Sequence, residues 1–172
     1  MNKQEVIICE NIIHLKIYDN KENLKGTSLI DVKHLQLING NSFSIDNKGY
    51  IRMSVKGIPI LLHRVIANTP KGMVTDHINH NVLDNREVNL RICTKNQNLL
   101  NKKPYKNSKS ECPGVYQIKS TGNWKSTIRI NNKRISLGTF KNLIDAVSAR
   151  KQAEDKYHGE FGYINSLKLA NA

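Results

Sequence analysis

An acidic residue, a histidine and several asparagines fall within one polar stretch, VTDHINHNVLDNREVNLRICTKNQN from Val74 to Asn98. Asp76 is a hard oxygen ligand suited to Mg²⁺ or Mn²⁺, and His77 can accept a proton near neutral pH. The amide oxygen of Asn98 can complete a coordination with Asp76. Hydrolysis of a phosphodiester needs an activated water, charge stabilisation at the phosphate and help for the leaving oxygen. These residue types therefore predict a metal-dependent phosphodiester-cleaving site.

The elements that must position these side chains are two antiparallel strands and a helix that follows them. Their predicted bounds are Met73–His77 and Leu90–Thr94 for the strands, and Lys95 to about Lys103 for the helix. Successive strand residues point to opposite faces, so Asp76 and His77 can serve one site only where the strand is ending. The turn-forming residues that follow favour such an ending. The helix then presents Asn98 one turn after its start.

This combination at this spacing resembles the HNH nuclease motif, in the ββα-metal form seen in phage and intron-encoded homing endonucleases. The resemblance covers roughly Leu62 to Lys103. It rests on the following segments: Leu62-His63-Arg64, Asp76-His77-Ile78-Asn79, Leu83-Asp84-Asn85-Arg86 and Asn89-Leu90-Arg91. An acid-histidine pair alone carries little information, whereas the whole set in this order is specific.

The resemblance implies a role for each matching position. Among the catalytic positions, His77 matches the general base that activates water, and Asn89 matches the central asparagine that ties the long loop to the hairpin. Asp76 matches the metal-binding acid, and Asn98 matches the last metal ligand, which is histidine or asparagine in the family. The implied cofactor is Mg²⁺ or Mn²⁺. No zinc is expected, because the cysteine pairs that hold a structural zinc in some HNH proteins are absent.

Positive charge is concentrated in the second part of the chain. Lys and Arg number 27 against 14 Asp and Glu, a formal net charge of +13. Most of the excess lies between Lys102 and Lys141. A basic segment of this kind indicates a polyanionic partner, because released counterions supply affinity for nucleic acid.

Short apolar runs separated by turn residues predict an α+β chain in three parts. The HNH resemblance implies that residues 1–103 form a nuclease domain, with a β-rich part at 1–70 and the ββα core at 73–103. A short helix is predicted over Leu29–Leu37 in the β-rich part. The sequence PYKNSKSEC indicates a basic linker at 104–112, and a further domain is expected at 113–166.

Three predicted strands and a helix from about Asn142 to His158 follow the linker. The segment GVYQIKSTGNWKSTIRINNKRISLGTF, with this helix, resembles the AP2 DNA-binding domain, which lays a three-stranded sheet in the major groove. On the middle strand, alternation places Lys125, Thr127 and Arg129 on one polar face. Residues expected to contact DNA are Tyr116, Lys125, Thr127, Arg129, Arg134 and Ser136, together with Lys102 and Lys103 before the linker.

The favoured interpretation is an HNH DNA endonuclease of the homing type that nicks or cuts double-stranded DNA. The alternatives are a non-catalytic DNA-binding regulator that uses the HNH fold as a scaffold, and an RNA-binding accessory protein. The nuclease is favoured because metal ligand, base and final ligand all persist. No run of about 18 apolar residues predicts a membrane span. The three separated cysteines, and the absence of a signal-peptide pattern, favour the cytoplasm. Because the sequence shows no clear dimer interface and no protein partner, a monomer or weak dimer is expected.

Overall fold

Four small antiparallel sheets organise residues 3–170, the part of the chain that the computed structural model describes. Three of these sheets have three strands and one has two. Short helices follow or cover them, so the mixed α+β class predicted from the sequence is confirmed. The chain divides into two compact units between Lys95 and Asn96. The first unit holds three of the sheets and the second unit holds one.

The first sheet has the strand order β1-β2-β3. Its strands are β1 (Gln4–Cys9), β2 (Ile12–Tyr18) and β3 (Leu24–Asp31). The central strand alternates in burial, because Ile13, Leu15 and Ile17 share one face and enter the core. A hairpin turn at Asp19 joins β2 to β3, and the carboxylate of Asp19 accepts hydrogen bonds from the backbone N–H groups two and four residues later.

The short helix predicted over Leu29–Leu37 begins later than expected. β3 continues to Asp31, a 3-10 turn follows at Val32–His34, and helix α1 covers only Leu35–Ile38. The prediction was wrong for its first three residues, because pairing with β2 places Ile30 in the core. Tertiary packing of this kind readily overrides local propensity.

The second sheet has the order β4-β5-β6 and leads directly into a helix. Its elements are β4 (Ser42–Ile45), β5 (Ile51–Val55), β6 (Ile58–Leu61) and the helix α2 (Leu62–Ile66). Phe43, Ile51 and Met53 join the buried residues of the first sheet in one apolar core, which Leu62 of α2 also enters. The N-terminal β-rich part is therefore a packed scaffold, onto which α2 is fixed.

The third sheet is the predicted hairpin of β7 (Val74–His77) and β8 (Leu90–Cys93), followed by helix α3 (Lys95–Leu100). The two strands pair antiparallel, as the sequence predicts. The loop that connects the two strands is anchored, because residue 84 forms a parallel β-bridge with residue 29 of β3. This contact fixes the loop of the hairpin to the first sheet.

The second unit contains the remaining sheet, in the order β11-β10-β9, and two helices. Its elements are β9 (Val115–Gln117), β10 (Trp124–Ile130), β11 (Lys133–Phe140), α4 (Leu143–Tyr157) and α5 (Tyr163–Ala170). The three strands and the long helix predicted from the sequence are present, and α5 is an additional helix. Within residues 3–170, no helix has the length and apolar character to cross a bilayer.

The central strand of this sheet does not alternate throughout its length. The register of β10 against β11 shifts between Ser126 and Thr127, which marks a β-bulge. Ser126, Thr127 and Ile128 are consequently all buried. The predicted placement of Thr127 on an exposed polar face is therefore wrong: its hydroxyl donates to the carbonyl of Gly114 at 3.0 Å.

Candidate active site

His77 ends β7, and its imidazole lies among two other rings. The centroid of the His63 ring is 5.1 Å away in an edge-on arrangement, and that of Tyr50 is 6.0 Å away. His63 belongs to α2 and Tyr50 immediately precedes β5. Both histidines are only 5 % exposed. Three elements of the first unit thus build a largely dry environment around the predicted base.

This environment keeps the histidines neutral. Burial lowers the pKa of His77 below its ordinary value, although a hydrogen bond with Asn85 opposes the shift. Burial also lowers the pKa of His63 to about 4, and the nearby charges of His77 and Arg64 act in the same direction. An imidazole accepts a proton only when it is neutral, so this environment suits His77 to act as a base at neutral pH.

The Asp76 carboxylate is held by Arg91, its direct partner across the hairpin. The Nη2 and Nε atoms of Arg91 donate to Oδ2 of Asp76 at 2.6 and 3.0 Å. Asp76 is buried beside His77 at the end of β7. Charge-assisted contacts of this kind are strong and fix the orientation of a carboxylate. Carboxylate oxygens are also the ligands that Mg²⁺ prefers, so the chemistry of Asp76 fits the predicted metal.

Asn89 connects the two ends of the hairpin loop. Its side-chain oxygen accepts a hydrogen bond from the backbone N–H of Asn79 at 2.9 Å, and its Nδ2 donates to the carbonyl of Asp84 at 2.8 Å. The Asp84 carboxylate is itself held by Arg86, whose Nε and Nη2 donate to its two oxygens at 2.7 Å each. These contacts make the loop rigid, which is the part that the sequence resemblance assigns to Asn89.

The second predicted metal ligand, Asn98, lies exposed in α3. It follows the division of the chain and so belongs to the second unit. In the described part of the chain, no group of three or more His, Cys, Asp or Glu side chains is placed to hold a metal ion. The pairing of Asp76 with Asn98 at a metal stays a prediction.

The segment that carries these side chains is similar in sequence to a known protein family. A family model described as HNH endonuclease matches residues 61–100, which contain α2, the β7–β8 hairpin and α3. Residues 61–100, called the HNH segment below, are thus similar to HNH endonucleases. The resemblance that the sequence predicts for this stretch is therefore confirmed.

Two viral proteins are similar to the chain beyond this HNH segment. An uncharacterised HNH endonuclease of Acanthamoeba polyphaga mimivirus is 24 % identical over 173 residues, covering 96 % of this chain and 88 % of that protein. Protein 3.8 of Escherichia phage T7 is 28 % identical over 92 residues, covering 54 % of this chain and 75 % of that protein. No solved structure matches the chain significantly.

The predicted DNA-contacting residues of the second unit lie outside the HNH segment. Tyr116, Arg129, Arg134 and Ser136 are exposed on the sheet, and Lys125 is half-buried. Two further predicted contacts, Lys102 and Lys103, are exposed before β9. Thr127 is the exception, because the bulge turns it inward and leaves it 5 % exposed. The AP2-like resemblance of this unit stays a prediction.

Sequence reasoning did not identify three residues that contact the candidate site. Asn85 Oδ1 lies 3.2 Å from Nε2 of His77, Arg91 holds Asp76, and His63 packs against His77. All three stand within segments that carry the HNH resemblance, yet none of them has an assigned role in that motif. Arg91 was open to inference, because antiparallel pairing of the two predicted strands puts it opposite Asp76.

Proposed function

We propose that this protein is a metal-dependent DNA endonuclease of the homing type, encoded by a phage or virus, that nicks or cuts double-stranded DNA. The observation that carries the proposal is the buried, neutral imidazole of His77 beside Asp76 inside the HNH segment. The similarity to the mimiviral protein, which is named an uncharacterised HNH endonuclease, supports the same activity. The net charge of +13 suits a polyanionic substrate.

In the proposed reaction, His77 removes a proton from a water molecule. The water oxygen attacks the phosphorus in line, a new P–O bond forms, and the bond to the 3′ oxygen breaks. Asn89 keeps the loop around His77 rigid, and Arg91 keeps the Asp76 carboxylate in place. Burial lowers the pKa of His77, so the imidazole stays neutral until it accepts the proton.

Asp76 and Asn98 are the residues that we assign to Mg²⁺ or Mn²⁺. Both offer oxygen atoms, and a site with few protein ligands leaves room for water and phosphate, as Mg²⁺ prefers. When bound, the ion supplies charge stabilisation at the phosphate and at the leaving oxygen.

Supercoiled plasmid tests the activity directly. We expect the purified protein to convert it to nicked or linear product with Mg²⁺ or Mn²⁺, and to lose this activity when EDTA is present, because the proposed reaction needs the ion for charge stabilisation. Adding excess Mg²⁺ after EDTA should restore cleavage. If the protein shifts DNA in a gel but never nicks it across these metals and several genomic DNAs, the protein is a DNA-binding regulator and the endonuclease proposal fails.

We assign DNA binding to the exposed sheet of the second unit. Arg129 of β10 stands directly opposite Arg134 of β11, and both side chains are exposed. Like charges at directly opposed positions destabilise a sheet. A bound polyanion would offset the repulsion between these two arginines, which explains why they stand opposite each other. Arginine also binds phosphates and the edges of guanine bases well. Tyr116 and Ser136 are also exposed on the strands of this sheet.

The double substitution R129Q/R134Q measures this assignment. We expect DNA affinity to fall by about 10-fold or more at moderate salt, because two phosphate or base contacts are lost. The slope of log K against log salt should become shallower by about 2, since each neutralised phosphate contributes roughly 0.9. Fluorescence anisotropy with a labelled duplex at several salt concentrations gives both quantities.

A matched control removes the same charge elsewhere in the second unit. Lys151 and Lys156 are exposed on α4, and K151Q/K156Q changes the net charge equally. This control should bind DNA nearly as well as the wild type. Equal losses from the two double variants would mean that total charge, rather than the β10–β11 face, holds the DNA.

A further inference from the structure

Backbone hydrogen bonds join the loop between β7 and β8 to strand β3 of the first sheet. The N–H of Leu29 donates to the carbonyl of Leu83 at 2.9 Å, and the N–H of Asn85 donates to the carbonyl of Leu29 at 2.8 Å. These bonds bring two fully buried polar side chains together, Ser28 from β3 and Asn85 from the loop. Ser28 lies outside the segment that matches the HNH family, and it is 57 residues from Asn85 along the chain.

The directions of the hydrogen bonds in this group are fixed by its chemistry. The carbonyl oxygen of Leu83 can only accept, so the hydroxyl of Ser28, 3.0 Å away, donates to it. Ser28 Oγ then accepts from Nδ2 of Asn85 at 2.8 Å, and the same Nδ2 lies 3.4 Å from the Leu83 oxygen. Rotating the Asn85 amide by half a turn would place its oxygen 3.4 Å from the Leu83 oxygen, and the single hydroxyl hydrogen of Ser28 could then serve only one of these two acceptors. That orientation makes fewer hydrogen bonds in a buried site, so the first orientation is favoured.

The orientation of the amide decides which nitrogen of His77 carries a proton. With Nδ2 of Asn85 directed at Ser28 and Leu83, Oδ1 faces Nε2 of His77 at 3.2 Å. An amide oxygen has no hydrogen to give, so Nε2 must be the donor. The neutral imidazole then has its lone pair on Nδ1. A hydrogen-bond partner of one ring nitrogen commonly sets the tautomer of a histidine in this way.

We propose that Ser28 and Asn85 are positioning residues that hold His77 in the tautomer protonated on Nε2, which leaves Nδ1 as the atom that accepts the proton of the attacking water. The use of Nδ1 rests on the proposed endonuclease function, whereas the tautomer itself does not. The first sheet is then more than a platform, because its strand β3 orients the base of the HNH segment.

Nitrogen-15 NMR of the full-length protein tests the tautomer without any DNA. Two-bond proton–nitrogen correlations distinguish a protonated ring nitrogen from one that carries a lone pair, and the signals of His77 are those that disappear in His77→Gln. At pH 7.5 we expect the wild type to show the proton on Nε2. A proton on Nδ1 in the wild type would overturn the proposal.

Two variants separate positioning from general stability. Asn85→Leu removes the acceptor and should give a mixture of both tautomers, with kcat for plasmid nicking lowered by about 10-fold to 100-fold and KM little changed, because general-base catalysis contributes about that much or more. Ser28→Ala leaves Nδ2 of Asn85 with only its 3.4 Å contact to the carbonyl of Leu83, so the effect of this variant should have the same direction and be smaller. Ser28→Thr restores the hydroxyl and should restore both the tautomer and the rate.

Asn81→Ala serves as a control for the loop. This substitution removes the hydrogen bond that the N–H of Leu83 donates to the Asn81 side chain. The hydrogen bonds of Ser28 and His77 are left in place, so the proton should remain on Nε2 of His77. If Asn85→Leu does not fold, Ser28→Ala decides: an unchanged tautomer and rate in that variant reject the proposal. If the tautomer responds as expected but no preparation nicks DNA, the endonuclease function fails and the hydrogen-bond assignment stands.

Discussion

His77→Ala is expected to abolish cleavage of plasmid DNA while DNA affinity stays within about twofold of the wild type. A positioned general base contributes on the order of 100-fold to 10,000-fold to a reaction rate. The ring of His77 is buried against His63 and Tyr50, so it has little surface with which to contribute to binding. Initial nicking rates with Mg²⁺, and anisotropy titrations of a labelled duplex without metal, measure the two effects separately.

Removing a buried ring also leaves a cavity, so the activity of His77→Ala must be separated from its stability. His77→Gln keeps more of the volume and a hydrogen-bonding group, but it lacks a basic nitrogen and should be equally inactive. His34→Ala removes a histidine that pairs with Glu87 at the surface and should nick at the wild-type rate. A folded His77→Gln that nicks at the wild-type rate would show that another group activates the water.

The arrangement around His77 explains why a weak sequence feature can form a specific site. An Asp-His pair at the end of a strand would ordinarily present its two side chains to opposite faces. Here the strand ends at His77, and Arg91 holds the carboxylate of Asp76. The imidazole packs against His63 of α2 and contacts Asn85 of the loop. Each side chain has its own partner, so both keep defined positions although they are neighbours in sequence.

Local chemistry predicted the hairpin and its strand bounds to within a residue or two. The turn residues after His77 and the apolar run before the helix were sufficient, since hairpin pairing depends on contacts that are close in sequence. The same logic gave the three strands and the long helix of the second unit. Predictions succeeded where the deciding contacts were local.

The errors arose where distant parts of the chain decide the outcome. The strand identity of Leu29 depends on its pairing with β2 and with the loop residue Asp84. The inward turn of Thr127 depends on a bulge that no alternation pattern predicts. The hydrogen bond between Ser28 and Asn85 joins residues 57 positions apart. Serine and asparagine are also common in solvent-exposed turns, so their presence alone does not indicate a buried contact. None of these contacts leaves a pattern in the sequence.

Helix α4 holds a further feature that its sequence pattern did not indicate. Apolar residues recur at helical spacing along this helix, as alanines with Leu143 and Tyr157, but Tyr157 is exposed. Arg150 and Glu154 are buried instead, and the guanidinium donates to Oε1 of Glu154 at 2.9 and 2.7 Å. An i,i+4 pair of this kind is usually read as a solvated surface contact.

Arg150→Met is therefore expected to destabilise the second unit by about 3 to 5 kcal/mol, which is typical when one partner of a buried ion pair is removed. Arg150 Nη1 also donates to the carbonyl of Thr127 at 2.7 Å, and the other oxygen of Glu154 accepts from the N–H of Ile164 at 2.9 Å. The pair thus joins α4 to the bulge of β10 and to α5. Urea unfolding followed by Trp124 fluorescence reports on this unit, because Trp124 lies in β10 and the chain has 1 tryptophan.

Two comparisons decide whether the charge or the packing is responsible. Lys151→Met, at an exposed neighbouring position, should change stability by no more than about 0.5 kcal/mol. R150M/E154L should recover much of the loss, because removing both charges avoids an unpaired buried carboxylate, and apolar replacements of buried ion pairs are often neutral or stabilising. A double variant as unstable as Arg150→Met would instead assign the loss to the hydrogen bonds with Thr127 and Ile164. In that case the sheet that we assign to DNA binding would be held to α4 by the hydrogen bond from Arg150 to the Thr127 carbonyl. The ion pair with Glu154 would only orient the Arg150 side chain for this bond.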